Sequence, residues 1–158
     1  MVRALKAFFP AVLLAYILAS ALATQSNLGD LQMLGMDVGL GDRAGATLHD
    51  IIGMASSYLL LILVAFLLGL PVAAGLTRLI PGQRALLYAV AGFTAIVALH
   101  LIMKAVLGVS GIAATRTTAG LVGQGAAGAI GGLCFHWLSR QTLGTDHVSS
   151  AREKTEGV

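Results

Sequence analysis

The chain has 158 residues, of which 57% are hydrophobic and only 11% charged, with a formal net charge of +3. A soluble domain has roughly 25% charged residues, and one this small has too much surface to cover with so few charges. The positive balance does not point to nucleic acid, because the Lys and Arg residues are scattered near the ends of apolar blocks and form no patch. Long uninterrupted apolar blocks are the pattern that lipid requires.

Four such blocks are expected to cross a bilayer as helices. The first, at about 8–23, follows Arg3 and Lys6 and ends in Ala21-Leu22-Ala23. A basic start, an apolar middle and a small-residue end also suit a signal peptide. We read the block as a retained anchor that borrows residues from about Ala4, with Lys6 snorkelling to the headgroups and Pro10 in its early turns.

Residues 24–49 form the long connection. Leu28, Leu31, Leu34, Met36, Val38 and Leu40 recur through it, more than a solvated loop needs. Ser26 is placed to cap a short helix carrying Leu28, Leu31 and Leu34. Gly35, Gly39 and Gly41 break the segment into pieces, and Asp42 begins a helix that passes His49 and Asp50 into the second block. Such a loop covers helix ends or serves as a lid over a substrate or partner site.

The second block covers about 51–76, with Pro71 kinking its far end, and Pro81-Gly82 makes a turn. The third and fourth cover about 85–107 and 118–138. Each is long enough for a hydrocarbon core of about 30 Å. Residues 140–158 are polar and read as a mobile tail. The fold class expected is therefore all-α: a four-helix transmembrane bundle over 1–139 with a partly helical exported loop.

Lys and Arg set the orientation. With the N-terminus in the cytoplasm, Arg3, Lys6, Arg78, Arg84, Arg140, Arg152 and Lys154 are cytoplasmic, and only Arg43, Lys104 and Arg116 lie toward the other side. Both termini are thus expected in the cytoplasm and the chain in the inner (plasma) membrane. Asp30, Asp37 and Asp42 then fall in the exported loop.

Two groups of residues are candidates for function. The first is an exported-side cluster of His49, Asp50, His100, Lys104 and Arg116. His100 and Lys104 share a helix face, and Asp50 is placed to pair with Lys104 or Arg116. Ionisable groups at membrane depth face a bundle interior or a wet cavity. The cluster either fixes helix register, binds an anionic group such as a lipid phosphate, or carries chemistry through His49, Asp50 and His100. Against the last, the adjacent His49 and Asp50 diverge by about 100° on a helix.

The second group lies in the fourth block. Ala119, Gly123, Ala127 and Gly131 form one small-residue row, and Gly120, Gln124, Gly128 and Gly132 the adjoining one. Small residues let helices approach closely in lipid, and a Gln inside a span needs a hydrogen-bond partner. This helix is expected to pack tightly, against its own bundle or another subunit.

Cys134 is the single cysteine, so neither an intramolecular disulfide nor a multi-cysteine zinc site is available. Tyr16, Tyr58 and Tyr88 read as packing residues or interface anchors, and Trp137, beside His136, as a cytoplasmic interface residue. No phosphate loop, nucleophile elbow or HExxH motif is present, and no internal repeat supports a transporter. The function expected is a non-enzymatic membrane subunit, without cofactor or metal, acting by packing in a homo- or hetero-oligomer among membrane lipids. The alternatives are a channel or carrier for a small solute, and a lipid-binding protein or membrane enzyme using the exported-side cluster.

Overall fold

A computed structural model describes the backbone of residues 2–80, 82–108 and 112–156 and the side chains of 4–80, 82–108 and 112–140. Five α-helices run in the order α1 (Val2–Met33), α2 (Leu40–Gly53), α3 (Leu60–Leu79), α4 (Arg84–Leu107) and α5 (Thr118–Glu156). A π-helical turn, Ala55–Leu59, joins α2 to α3, and a 3-10 turn, Ala113–Arg116, precedes α5. Four stretches are long and apolar enough to cross a membrane: Ala4–Met33, Ala55–Leu79, Arg84–Leu107 and Thr118–Arg140. The protein is an all-α bundle of membrane-spanning helices, as the apolar blocks imply. Pro81 and the side chains of Arg3, Arg152 and Lys154 lie outside the described residues.

The first helix departs most from expectation. It does not stop near Ala23, and Ser26 caps nothing: the residue sits inside α1. The polar run Thr24-Gln25-Ser26-Asn27 holds no Pro or Gly, and Gly29 alone does not break the helix. The stop comes at Gly35, whose φ of +86° is open to a residue without Cβ. There the Met36 N–H donates to the Leu31 carbonyl at 3.2 Å and the Gly35 N–H to that of Gln32 at 3.0 Å, a Schellman closure of the helix end. Pro10 lies about two turns into α1, among its early turns as expected.

The connection is thus a helical hairpin: the end of α1, a short turn, and α2 packed back on α1. Asp42 is not the first residue of α2 but stands in its first turn, where its carboxylate accepts the Gly39 N–H at 3.2 Å. Arg43 fastens the hairpin, donating to the side-chain oxygens of Gln25 and Gln32, each at 2.6 Å. Gln25 in turn donates to Thr47 at 2.9 Å. At the far end of the chain, α5 continues as helix past Arg140 to Glu156.

In the bundle α5 packs on both α1 and α4, and α3 packs chiefly on α4, with Phe66 reaching inward to Gly131 of α5. Two stripes of small residues permit this. Ala7, Ala11, Ala15, Ala19 and Ala23, one per turn of α1, are all buried. Gly131 of α5 comes so close to them that a Cβ there would lie 2.7 Å from that of Ala15. On the opposite side Gly92 of α4 and Gly128 of α5 touch backbone to backbone, and a Cβ on either would overlap the other's carbonyl. Gly132 meets the Tyr88 carbonyl in the same way. Half of the apolar stretch of α1 is buried within the protein, against 22% in the second and third spans. The outer faces of α3 and α4 are therefore the most open.

Candidate functional site: a polar network between the spans

Gln124 is 1% exposed, deep among apolar side chains. Its Nε2 donates to the Ala19 carbonyl of α1 at 2.9 Å. A carbonyl only accepts, so this bond orients the amide and turns Oε1 toward Tyr58. The Tyr58 hydroxyl donates to Oε1 at 2.8 Å. Its single hydrogen is then used, and the His100 Nε2, 3.1 Å away, must donate to the phenol oxygen. The chain of donors runs His100 to Tyr58 to Gln124 to Ala19, linking α4, the π turn, α5 and α1.

Tyr58 reaches this position from the π turn. A π-helical insertion shifts the register of the residues after it and is common at specialised sites. Here it joins α2, packed on α1, to α3, packed on α4. The Tyr58 ring lies edge-on to Tyr16 at 6.0 Å and tilted against His100 at 5.8 Å. The Tyr16 hydroxyl donates to the Ile51 carbonyl in the last turn of α2. Above it the Thr24 hydroxyl donates to Asp50 at 2.8 Å, with the Ser20 carbonyl as a second acceptor at 3.1 Å.

Of the exported-side candidates, only His100 lies in this network, and Asp50 borders it. Asp50 is half-buried and bound to Thr24; among the described residues it makes no ion pair with Lys104 or Arg116. The reason is topological: α2 packs on α1, not on α4. His49 is exposed beside it, and Lys104 and Arg116 are also exposed. Lys104 follows His100 by one turn, yet His100 points into the bundle and Lys104 does not.

The fourth-block candidates divide among several neighbours. Gly128 and Gly132 face α4, and Gly131 faces α1 and the Phe66 ring of α3. Gly120 abuts the Ala114 carbonyl, and Gly125 the ring of Phe93. Gly123 has nothing within 4 Å of where its Cβ would stand.

Tyr58, Tyr16 and Thr24 were not singled out from the sequence as network residues. The available signal was chemical: a phenol inside an uncharged apolar span must find a partner. Gly92 and the alanine row of α1 were likewise readable as small residues at helical spacing but not singled out.

At the other end of the bundle His136 is buried against the Tyr88 ring, 5.8 Å between centroids, while Trp137 is exposed. Among the described residues no three His, Cys, Asp or Glu side chains gather as metal ligands. Along the outside of α3 and α4 runs an apolar groove of about 690 Å³, bordered by Val64, Leu68 and Val72 on one helix and Val90, Thr94 and Ala98 on the other. No family model matches the chain, and neither curated proteins nor solved structures yield a match.

Proposed function

We propose that the protein is a non-enzymatic membrane subunit that works by packing, and that a second copy of the chain occupies the α3–α4 groove. The groove carries the reading. It extends from Leu60 to Leu76 on α3 and from Leu87 to Ile102 on α4, and Thr94 is its one polar side chain. At about 1.5 Å per residue, that is roughly 24 Å, most of a hydrocarbon core. Its floor is where Gly69 packs on Ala95, so that α3 and α4 meet closely and the larger side chains stand as ridges on either side.

The interior favours the same reading. Gln124, Tyr58 and His100 bond one another and the α1 backbone, Ser20 Oγ alone among the described buried side-chain polar atoms lacking a partner, and most of the α5 glycines are occupied by α1 and α4. Exposed ridges beside the groove, Leu68 and Val72 among them, stand on the same face as the groove itself. Ridge and groove side by side are what a two-fold contact between identical chains requires. In this reading the protein sits in the plasma (inner) membrane among lipids with both termini cytoplasmic, following its Lys and Arg distribution.

Thr94→Cys in a Cys134→Ser background, oxidised in native membranes, tests the interface. A disulfide-linked homodimer is the expected product, lost when Ala98→Phe fills the groove. A cross-link to a different membrane protein would make the partner another subunit. A monomer by native mass spectrometry, with no cross-link of either kind, overturns the proposal.

A further inference from the structure

The tip of the α1–α2 hairpin is both apolar and exposed. Met33 is 89% exposed, Leu34 78%, Met36 54% and Leu40 86%. These four gather at the turn between the two helices, away from the outer faces of the α3–α4 spans. Ala19 and Gln124 lie near one level, joined by a hydrogen bond, and the contacts of Gly132 with Tyr88 and of Gly128 with Gly92 set Gln124 level with Ile96 of α4. From that level α1 rises about 21 Å to Met33, whereas α5 gains about 9 Å to Thr118 and α4 about 16 Å to Leu107, at about 1.5 Å per residue. The tip therefore stands about 12 Å past the start of α5 and about 5 Å past the end of α4.

The hairpin is also held out rigidly. Arg43, Gln25, Gln32 and Thr47 tie its two helices side by side, and Gln32 donates to the Val38 carbonyl at 3.4 Å. Asp30, Asp37 and Asp42 surround the apolar tip, all exposed. Arg43 is the only Lys or Arg between positions 24 and 50. It bonds two neutral glutamines, so it neutralises none of the three carboxylates.

We propose that this tip is a docking surface for a basic amphipathic segment of a soluble protein on the α2 side of the membrane. An apolar patch ringed by polar residues marks an interaction site. The two methionines adapt to the apolar face of a helix, and the unneutralised aspartates select its Lys and Arg and repel acidic segments. The proposal shares with the groove reading only the premise that the protein acts through contacts, and it uses a different surface.

The test uses the full chain in nanodiscs of zwitterionic lipid. The probe is a short amphipathic helical peptide of Leu and Lys, with its Leu/Glu counterpart as control and empty nanodiscs as blank. The Leu/Lys peptide should bind and the Leu/Glu peptide should not. Met33→Ser with Leu40→Ser, and separately Asp30→Asn with Asp37→Asn, should each weaken binding about tenfold or more. These residues are exposed, and unchanged helicity and melting verify that the fold persists. Equal binding of both peptides, or tip variants that bind like the parent, overturns the proposal. So does a nitroxide at Leu34→Cys (Cys134→Ser) that meets lipid-dissolved oxygen more readily than an aqueous nickel chelate. Ala98→Phe should leave peptide binding intact even where it abolishes dimers, so the two readings fail separately.

Discussion

A single amide, Gln124, sits where α1, α5 and the π turn meet, and it serves as both donor and acceptor. Replacing it with Leu keeps the volume but leaves the Tyr58 hydroxyl without its acceptor inside the bundle. An unsatisfied buried group costs about 1–3 kcal/mol, while measured interhelical bonds in membrane proteins average about 0.6 kcal/mol. Gln124→Leu should therefore destabilise by about 1–2 kcal/mol. Tyr58→Phe should cost a similar amount, since it strands Oε1 of Gln124 and Nε2 of His100. The double variant should cost less than the sum, with a coupling of at least about 0.5 kcal/mol. Reversible unfolding in mixed micelles measures all three, and strict additivity would remove the network from the account. Gln124 was legible as a residue needing a partner. That the partners are Tyr58 and a backbone carbonyl was not, because nothing local tells which helix lies opposite.

At the scale of the helix, α5 shows that small residues at one spacing need not share one task. Gly128 and Gly132 abut α4 backbone to backbone, with Gly92 opposite. A methyl group there must push carbonyls apart, so Gly92→Ala and Gly132→Ala should each cost about 1–3 kcal/mol. Gly123 belongs to a predicted packing row, yet nothing stands within 4 Å of its Cβ position. Gly123→Ala should be neutral or gain up to about 1 kcal/mol through helix propensity. The same unfolding assay separates the two classes, and an equal loss at Gly123 would mean that another chain covers it. Helical spacing alone placed these residues on a common face. The α1–α2 hairpin was legible only in part: its apolar recurrence and the helix near Asp42 were, but the unbroken run to Met33 was not. A helix persists through polar residues when a second helix bonds to them, and that second helix is α2.

Over the whole molecule, charge and packing govern separate questions. The Lys and Arg distribution predicts both termini on the cytoplasmic side. A reporter active only in the cytoplasm should work when fused after Val158 and fail when inserted in the turn at 36–38. Activity at the turn and silence at the end would invert the topology and move the hairpin tip to the cytoplasmic side. The groove on α3 and α4 exists because α5, narrow along both its faces, draws α1 and α4 to itself, and α3 buries only an inner stripe, Ile62, Phe66 and Leu70, leaving its outer face open.

What the sequence by itself determined is what a lipid solvent dictates: four apolar lengths, helices as the way to satisfy their backbones, and an orientation expected from charge. Those properties are local or additive along the chain. The tertiary structure alone decided that Asp50 bonds Thr24 rather than Lys104 or Arg116. It decided that Tyr58, not His49, joins His100, and that the adjacent Gly131 and Gly132 of α5 face α1 and α4 respectively. Each of these depends on which helix stands opposite and in what register, and in lipid that choice is made by close fit between surfaces. Hydropathy does not encode it, because all four helices are equally at home in the bilayer.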